Sequence, residues 1–163
     1  MIKISKILVA TDFSEVADAA LDYGRTLAEH FLADLHLLHV AGDLLTANPG
    51  LGYVPDLTAV QREGEEAARK QLEGRLATEG QIAHVHRRVI TSNAPARTIV
   101  EYAKTASIDL IVIGTQGRSG VSRLLMGSVA ERVVRTAPCP VLTVHHPEHE
   151  FVLPDTASAN VRV

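Results

Sequence analysis

The chain has 163 residues, of which 46% are apolar and only 4% aromatic, and its formal net charge is −3. That length suits one domain with a full-sized core. With so few aromatic residues, Ala, Val, Ile and Leu must build this core, which favours an α/β fold over an aromatic-rich β-sandwich. The net charge provides no basic surface for nucleic acid or for an anionic membrane, so we expect neither as a partner.

The sequence also bears on the compartment. No apolar run approaches the roughly 20 residues that a membrane-spanning helix needs, and the N-terminus lacks the pattern of a signal peptide. The single cysteine, Cys139, cannot form an intrachain disulfide, which suits a reducing environment. We therefore expect a cytoplasmic protein.

Strand-like and helix-like segments alternate along the chain, which indicates β-α-β units and a parallel sheet. The predicted strands are Lys6–Ala10, Asp34–Val40, His84–Ile90, Leu110–Gly114 and Val141–Val144. The first helix repeats small and apolar residues at steps of three and four, and Ser14 is placed to cap it. The second helix pairs Glu65 with Arg69 and Glu66 with Lys70 at i,i+4 spacing.

Two further helices and one long loop complete the prediction. Pro95 suits the first turn of the third helix, and the fourth helix covers 129–135. The longest irregular stretch runs from Gly42 to about Thr58. An irregular stretch of this length in a compact domain is typically functional or mobile.

The connection from the fourth strand to the fourth helix carries the most informative motif. Gly114-Thr115-Gln116-Gly117 ends the strand, and Gly127-Ser128 opens the helix after nine intervening residues. Glycines allow a sharp turn and a close approach of ligand to backbone, and a helix start offers unpaired N–H groups at the positive end of its dipole. The order therefore predicts a phosphate site. Two plainer interpretations stay open: the glycines serve only the turn, or Ser128 and Glu131 form a capping box.

Together with its flanking segments, this motif resembles the ATP-binding branch of the universal stress protein family. The flanking segments are KILVATDFS at 6–14 and PCPVLTV at 138–144. The resemblance runs from about Lys3 to His145 and divides the chain into a nucleotide-binding domain, 1–146, and a C-terminal extension, 147–163. It implies a single-domain open five-stranded parallel sheet of order 3-2-1-4-5 with helices on both faces.

In that strand order the ends of strands one and four meet at the switch point, where open parallel sheets bind ligands. The resemblance implies that an adenine nucleotide, ATP with Mg²⁺, lies there. The nucleoside half is then assigned to Asp12, to the backbone of Ala10, Thr11 and Val40, and to Ile113 as a flanking residue. The phosphate half is assigned to Gly114, Gly117, Gly127, Ser128 and the backbone of Val129, with Arg118 as a local anion contact.

No dedicated metal site of the protein is expected. A triphosphate brings Mg²⁺ that is held largely by its own oxygens and by water, and Asp12 is the one obvious carboxylate near the glycines. His145, His146 and His149 have a spacing that invites a metal interpretation. They follow the end of a strand, and we do not expect them to form a specific metal site.

Together with the glycine motif, the resemblance implies an ATP-binding stress-response regulator or sensor. The resemblance implies a homodimer that pairs through strand 141–144, together with a downstream protein partner that the sequence does not identify. No recognisable catalytic motif accompanies the glycines, so we expect slow ATP hydrolysis at most. Two alternatives stay open: a slow ATP hydrolase or nucleotidyl-transferring enzyme on the same fold, and a structural dimer that binds no nucleotide.

Overall fold

The computed structural model describes residues 3–47, 57–75, 82, 84–115 and 126–145. Its centre is one parallel sheet of five strands. Its strands are β1 (Lys6–Thr11), β2 (Asp34–Ala41), β3 (Val85–Thr91), β4 (Leu110–Gly114) and β5 (Val141–Val144). They lie in the order β3-β2-β1-β4-β5, and every neighbouring pair is parallel. The predicted fold class and strand order are therefore confirmed, and the predicted strand bounds differ from these by no more than one residue.

The helices that connect these strands include one that was not predicted. They are α1 (Glu15–Phe31), α2 (Leu44–Ala47), α3 (Leu57–Arg75), α4 (Pro95–Ala106) and α5 (Ser128–Thr136). The one-turn helix α2 lies inside the stretch predicted to be irregular. It forms there because the carboxylate of Asp43 accepts hydrogen bonds from the amides of Leu45 and Thr46. The remainder of that stretch, 48–56, lies outside the described residues.

The apolar residues of the sheet alternate between two layers of helices, as the two-residue period of a strand requires. On one face, Ile7, Val9, Leu35, Leu37 and Val112 pack with Ala20, Leu21 and Ala28 of α1 and Leu72 of α3. On the other face, Leu8, Ala10, Leu38, Ile111 and Ile113 pack with Ala96, Ile99 and Ala103 of α4 and Ala130 and Val133 of α5. Both layers are built almost entirely from aliphatic side chains, as the composition predicts.

The predicted cap of α1 and one of the two predicted ion pairs of α3 are present, whereas the second glutamate pairs with a different arginine. Ser14 caps α1, since its hydroxyl accepts a hydrogen bond from the amide of Ala17 at 3.3 Å. On α3, Glu65 lies 3.6 Å from Arg69 as predicted, whereas Glu66 lies 4.0 Å from Arg62, one turn earlier. None of the described helices combines the length and the apolar character that crossing a bilayer requires.

A polar cluster around His36 lies within the sheet. His36 of β2 is buried, its Nδ1 lies 2.8 Å from the Tyr102 hydroxyl, and its ring stacks on that of His86 with centroids 4.4 Å apart. Its Nε2 is buried without a hydrogen-bond partner among the described residues. Burial, followed by the positive charges of His86 and Lys6, lowers the pKa of His36 from 6.5 to about 4. The folded protein therefore holds this ring neutral at physiological pH.

We expect α1 to depend on glycine at one position. A Cβ on Gly24 would collide with the Cγ2 of Val9, a β-branched residue buried in β1. Gly24→Ala should therefore lower the free energy of unfolding by about 1–3 kcal/mol through overpacking, although alanine favours helix. Gly64→Ala on α3 is the matched control, because nothing lies within 4 Å of the added carbon. It should raise stability by about 1 kcal/mol. Chemical denaturation measures both, and equal effects would contradict this packing argument.

His36 predicts a loss of stability in mild acid. Between pH 6.5 and 4 the unfolded chain binds a proton at this histidine that the folded chain does not, so the free energy of unfolding falls as the pH falls through that window. His36→Asn keeps a partner for Tyr102 and removes the titrating group. The slope of its free energy of unfolding against pH should therefore be smaller, by the contribution of up to one proton. Denaturation at pH 7, 5.5 and 4.5 tests this. The exposed His30→Asn is the control and should follow the wild type.

Candidate functional site

A cavity of about 260 Å³ lies at the carboxyl ends of β1, β2 and β4, where the strand order reverses direction. Ends of parallel strands at such a switch point are where open α/β sheets bind ligands. The cavity is lined by Ala10, Thr11, Asp12, Ala17, Leu38, Val40, Pro95, Ile99, Ile113, Gly114, Gly127, Ser128, Val129 and Ala130. It therefore collects residues from three strands and from the first turns of three helices.

Nine of the eleven residues proposed from the sequence line this one cavity. The other two, Gly117 and Arg118, lie outside the described residues. The wall also contains five residues that the sequence analysis did not assign: Ala17, Leu38, Pro95, Ile99 and Ala130. A signal existed for Leu38, since it lies two residues before Val40 and so faces the same side of β2. The others are small or apolar helix residues whose sequence pattern does not distinguish a cavity wall from core.

The start of α5 forms one end of the cavity. Gly127 is the N-cap with φ −61° and ψ 147°, and no described side chain caps the helix. Ser128 is its first residue, so the capping box of Ser128 and Glu131 is wrong. The first hydrogen bond of the helix joins the amide of Glu131 to the carbonyl of Gly127 at 2.9 Å. The amides of Ser128, Val129 and Ala130 precede it and have no acceptor within the helix, which makes this end a donor-rich, electropositive wall.

Gly114 is glycine for a reason that the sequence does not show. A Cβ at this position would meet Val16 of α1, at 2.8 Å from Cγ1 and 3.2 Å from the backbone carbonyl. Since the backbone of a helix cannot give way as a flexible side chain does, only glycine fits here. Gly114 lines the cavity, but the close approach that its missing side chain allows is to α1.

Thr115 fixes the helix start relative to β5. Its carbonyl accepts from the amide of Gly127 at 2.6 Å, and its own amide donates to the carbonyl of Val144 at 2.8 Å. Its buried hydroxyl also donates to Val144 and lies 2.8 Å from Nδ1 of His145. One residue, through its backbone and its side chain, therefore joins the electropositive wall to the end of the last strand.

The other end of the cavity, at β1 and β2, combines the carboxylate of Asp12 with apolar side chains. Asp12 follows β1, and its Oδ1 accepts hydrogen bonds from the amide and the hydroxyl of Ser14, at 3.1 Å and 2.5 Å. Leu38, Val40 and Ile99 supply the apolar surface beside it. An anionic group, apolar side chains and a set of amide donors thus line the same cavity.

The loop that carries Asp12 is braced from two neighbouring elements. Phe13 has a φ of 66°, in the left-handed region, which costs a residue with a side chain about 1–3 kcal/mol. The ring of His39 stacks on that of Phe13 with centroids 4.3 Å apart. Arg75, which ends α3, donates to the carbonyl of Phe13 at 3.2 Å and binds both carboxylate oxygens of Asp18. These contacts offset the strain of the turn.

The rim beside β2 is held by Asn93, which lies just before α4. Its side-chain oxygen accepts from the amide of Asp43 at 2.8 Å, and its side-chain nitrogen donates to the carbonyl of Asp43 and to the hydroxyl of Thr46, each at 3.0 Å. Hydrogen bonds from Thr46 hold the pKa of Asp43 below its ordinary value. The carboxamide of Gln61 on α3 accepts from the amide of Leu44 at 2.9 Å. These bonds fix α2 against α3 and against the cavity wall that begins at Pro95.

The described residues contain no group of three His, Cys, Asp or Glu side chains placed to hold a metal ion. Of the three histidines with suggestive spacing, His145 contacts Thr115, and His146 and His149 lie outside the described part of the chain.

Comparison with known proteins agrees with this architecture. Residues 3–145 match the universal stress protein family. The chain belongs to this family. Universal stress protein MJ0531 of Methanocaldococcus jannaschii is 36% identical over 149 residues, which cover 89% of this chain and 84% of that protein. The solved structure of universal stress protein UspA from Lactobacillus plantarum has a TM-score of 0.67 at 28% identity and covers 87% of this chain and 98% of its own.

Two more distant solved structures of the same fold contain nucleotides. One is a universal stress protein in complex with cAMP, at 24% identity and a TM-score of 0.64, covering 87% of this chain and 97% of its own. The other, from Archaeoglobus fulgidus, is in complex with dAMP, at 23% identity and a TM-score of 0.57, covering 88% and 99%. At these identities the likeness to this chain concerns the fold.

Proposed function

We propose that this chain is a regulator or sensor that binds ATP in the cavity at the switch point and retains it in preference to hydrolysing it. The observation that carries the proposal is the arrangement of the cavity itself. The amides of Ser128, Val129 and Ala130 lie at one end, and Asp12 lies with an apolar wall at the other. A nucleotide is complementary to this arrangement, because its anionic phosphates are joined through a hydroxylated sugar to an aromatic base.

The amide-rich end suits the phosphates. The amides of Ser128, Val129 and Ala130 have no acceptor within the helix, and together with the positive end of the α5 dipole they are suited to stabilise an anion there. We propose that Gly127, Ser128 and Val129 contact the outer phosphates, with Gly114 beside them, and that Gly117 and Arg118 complete this end. Mg²⁺ would be held by phosphate oxygens and water and would reduce their mutual repulsion.

The other end suits the nucleoside. Leu38, Val40 and Ile99 provide apolar surface of the kind on which an aromatic base packs, and the Asp12 carboxylate can accept hydrogen bonds from ribose hydroxyls. We propose that Ala10, Thr11 and Ile113 flank the sugar and base. The cAMP and dAMP complexes of two distant members of the fold support an adenine nucleotide as the class of ligand.

Regulation requires that the bound and free states present different surfaces to a partner. Since Thr115 joins the start of α5 to the end of β5, a ligand at the phosphate end can alter the last strand. In the sheet described here β5 pairs only with β4, so its other edge offers unpaired backbone groups. We propose that this edge pairs with a second copy, which would also remove an exposed edge, in a cytoplasmic homodimer that acts on a downstream protein.

We expect ATP to bind at least about tenfold more tightly than AMP, because the α5 amides act on the outer phosphates. Gly127→Val should abolish most of this preference. The backbone of Gly127 has φ −61° and ψ 147°, which valine adopts without strain, so the substitution fills ligand space and leaves the fold intact. Calorimetric titration of both nucleotides measures the ratio, with Gly64→Ala as the unaffected control. Equal affinities of the wild type for ATP and AMP would refute the phosphate assignment.

We expect the wild type to be a dimer at micromolar concentration and Thr143→Pro to be a monomer. The carbonyls of Pro140 and Val144 bond to β4, so by the alternation of a parallel strand the amide of Thr143 points to the outer edge. Proline there removes an edge donor and leaves the pairing with β4 in place. Thr143→Val keeps the amide and is the matched control. Sedimentation velocity gives the mass of each, and a wild-type monomer would exclude the proposed pairing.

A further inference from the structure

The loop Thr11-Asp12-Phe13 orients the one carboxylate that the described residues bring to the cavity, and its backbone requires support from outside the cavity. Phe13 is left-handed, and its amide donates to the hydroxyl of Thr11 at 3.0 Å. The direction of Asp12 therefore depends on what fixes the residues on either side of it.

His39 contacts both of those residues. It is paired with Thr11 in the register of β1 and β2, and its Nδ1 lies 2.8 Å from the carbonyl oxygen of Thr11. Because a carbonyl only accepts, Nδ1 carries the proton and donates it. The same ring stacks on Phe13 at 4.3 Å. One side chain of β2 thus fixes the backbone before Asp12 and the side chain after it.

His39 makes these contacts from the opposite layer of the molecule. Its neighbours on the strand, Leu38 and Val40, line the cavity, whereas His39 does not. Alternation along β2 places it with Leu37 on the face that packs against α1 and α3. Among the described residues, its contacts with Thr11 and Phe13 connect it to the cavity.

We propose that His39 is a positioning residue, whose Nδ1–H bond to the Thr11 carbonyl holds the Asp12 carboxylate in its nucleoside-facing position. The inference rests on the proposed function, since it assumes that Asp12 contacts the nucleotide. It assigns a role in ligand affinity to a residue that lies outside the cavity.

Two amide substitutions separate this hydrogen bond from the general effect of losing the ring. His39→Asn places an N–H donor where Nδ1 was, and His39→Gln places it near the position of Nε2, away from Thr11. Both variants lose the stacking on Phe13. We expect ATP affinity to be about fivefold lower in His39→Gln than in His39→Asn, the size of one lost hydrogen bond. Asn should thus rescue most of what Gln loses.

A double-mutant cycle with Asp12→Asn tests whether His39 acts through Asp12. Asparagine keeps the acceptor for Ser14 and removes the charge. In that background the difference between His39→Gln and His39→Asn should shrink to less than about twofold, because the second carboxylate oxygen becomes an NH2 group that cannot accept from a ribose hydroxyl. A merely structural role would leave the fivefold difference in place. His30→Gln on α1 is the control and should match the wild type throughout.

The outcomes are distinguishable. If the wild type binds no ATP, the proposed function fails and this inference fails with it. If the wild type binds ATP and the two His39 variants bind it equally, the function stands and the inference is overturned. The inference is also overturned if their difference persists undiminished in the Asp12→Asn background. Thermal melting of each variant identifies a folding defect. Such a defect would lower the ATP affinity of both His39 variants without the predicted order between them.

Discussion

The position of β1 between β2 and β4 is the constraint on which the site depends. Its register places Thr11 beside His39 on one side and Ala10 beside Ile113 on the other. Because all three strands are parallel, their carboxyl ends reach the same edge of the sheet, and the connections leave them toward opposite faces. The cavity lies where these connections diverge, and its walls come from the strand ends themselves and from the N-terminal parts of α1, α4 and α5.

The two ends of the cavity are built by different means. The proposed phosphate end uses backbone amides, which are positioned because the carbonyl of Thr115 accepts from the amide of Gly127 and so sets where α5 begins. The proposed nucleoside end uses a side chain, Asp12, on a turn in which the next residue, Phe13, has a left-handed backbone. Backbone donors need only a correctly placed helix, whereas the carboxylate needs contacts from β2 and α3. The site is thus as dependent on packing behind it as on the residues that line it.

The sequence predicted the parts of the structure that follow from local pattern. Strand periodicity, the strand-glycine-helix order and the Ser14 cap each have a short-range physical cause, and each is present in the structure. The capping box at Ser128 failed because the same residues suit a helix that begins one residue earlier, at a glycine N-cap. The place of Ile99 in the cavity wall and the close contact of Gly114 with Val16 could not be predicted from the sequence. Their roles depend on which helix lies opposite, and that is a tertiary fact.

Two histidines of β2 show that residue type alone does not determine the role of a side chain. His36 and His39 are three positions apart and so face opposite layers of the sheet. His36 is buried against His86 and Tyr102, where a neutral ring is stabilised and a proton is excluded. His39 donates a hydrogen bond to a strained loop at the edge of the cavity. The two-residue period of the strand places the two rings in opposite layers. Only His39 lies beside the end of β1, where it can support the loop that carries Asp12.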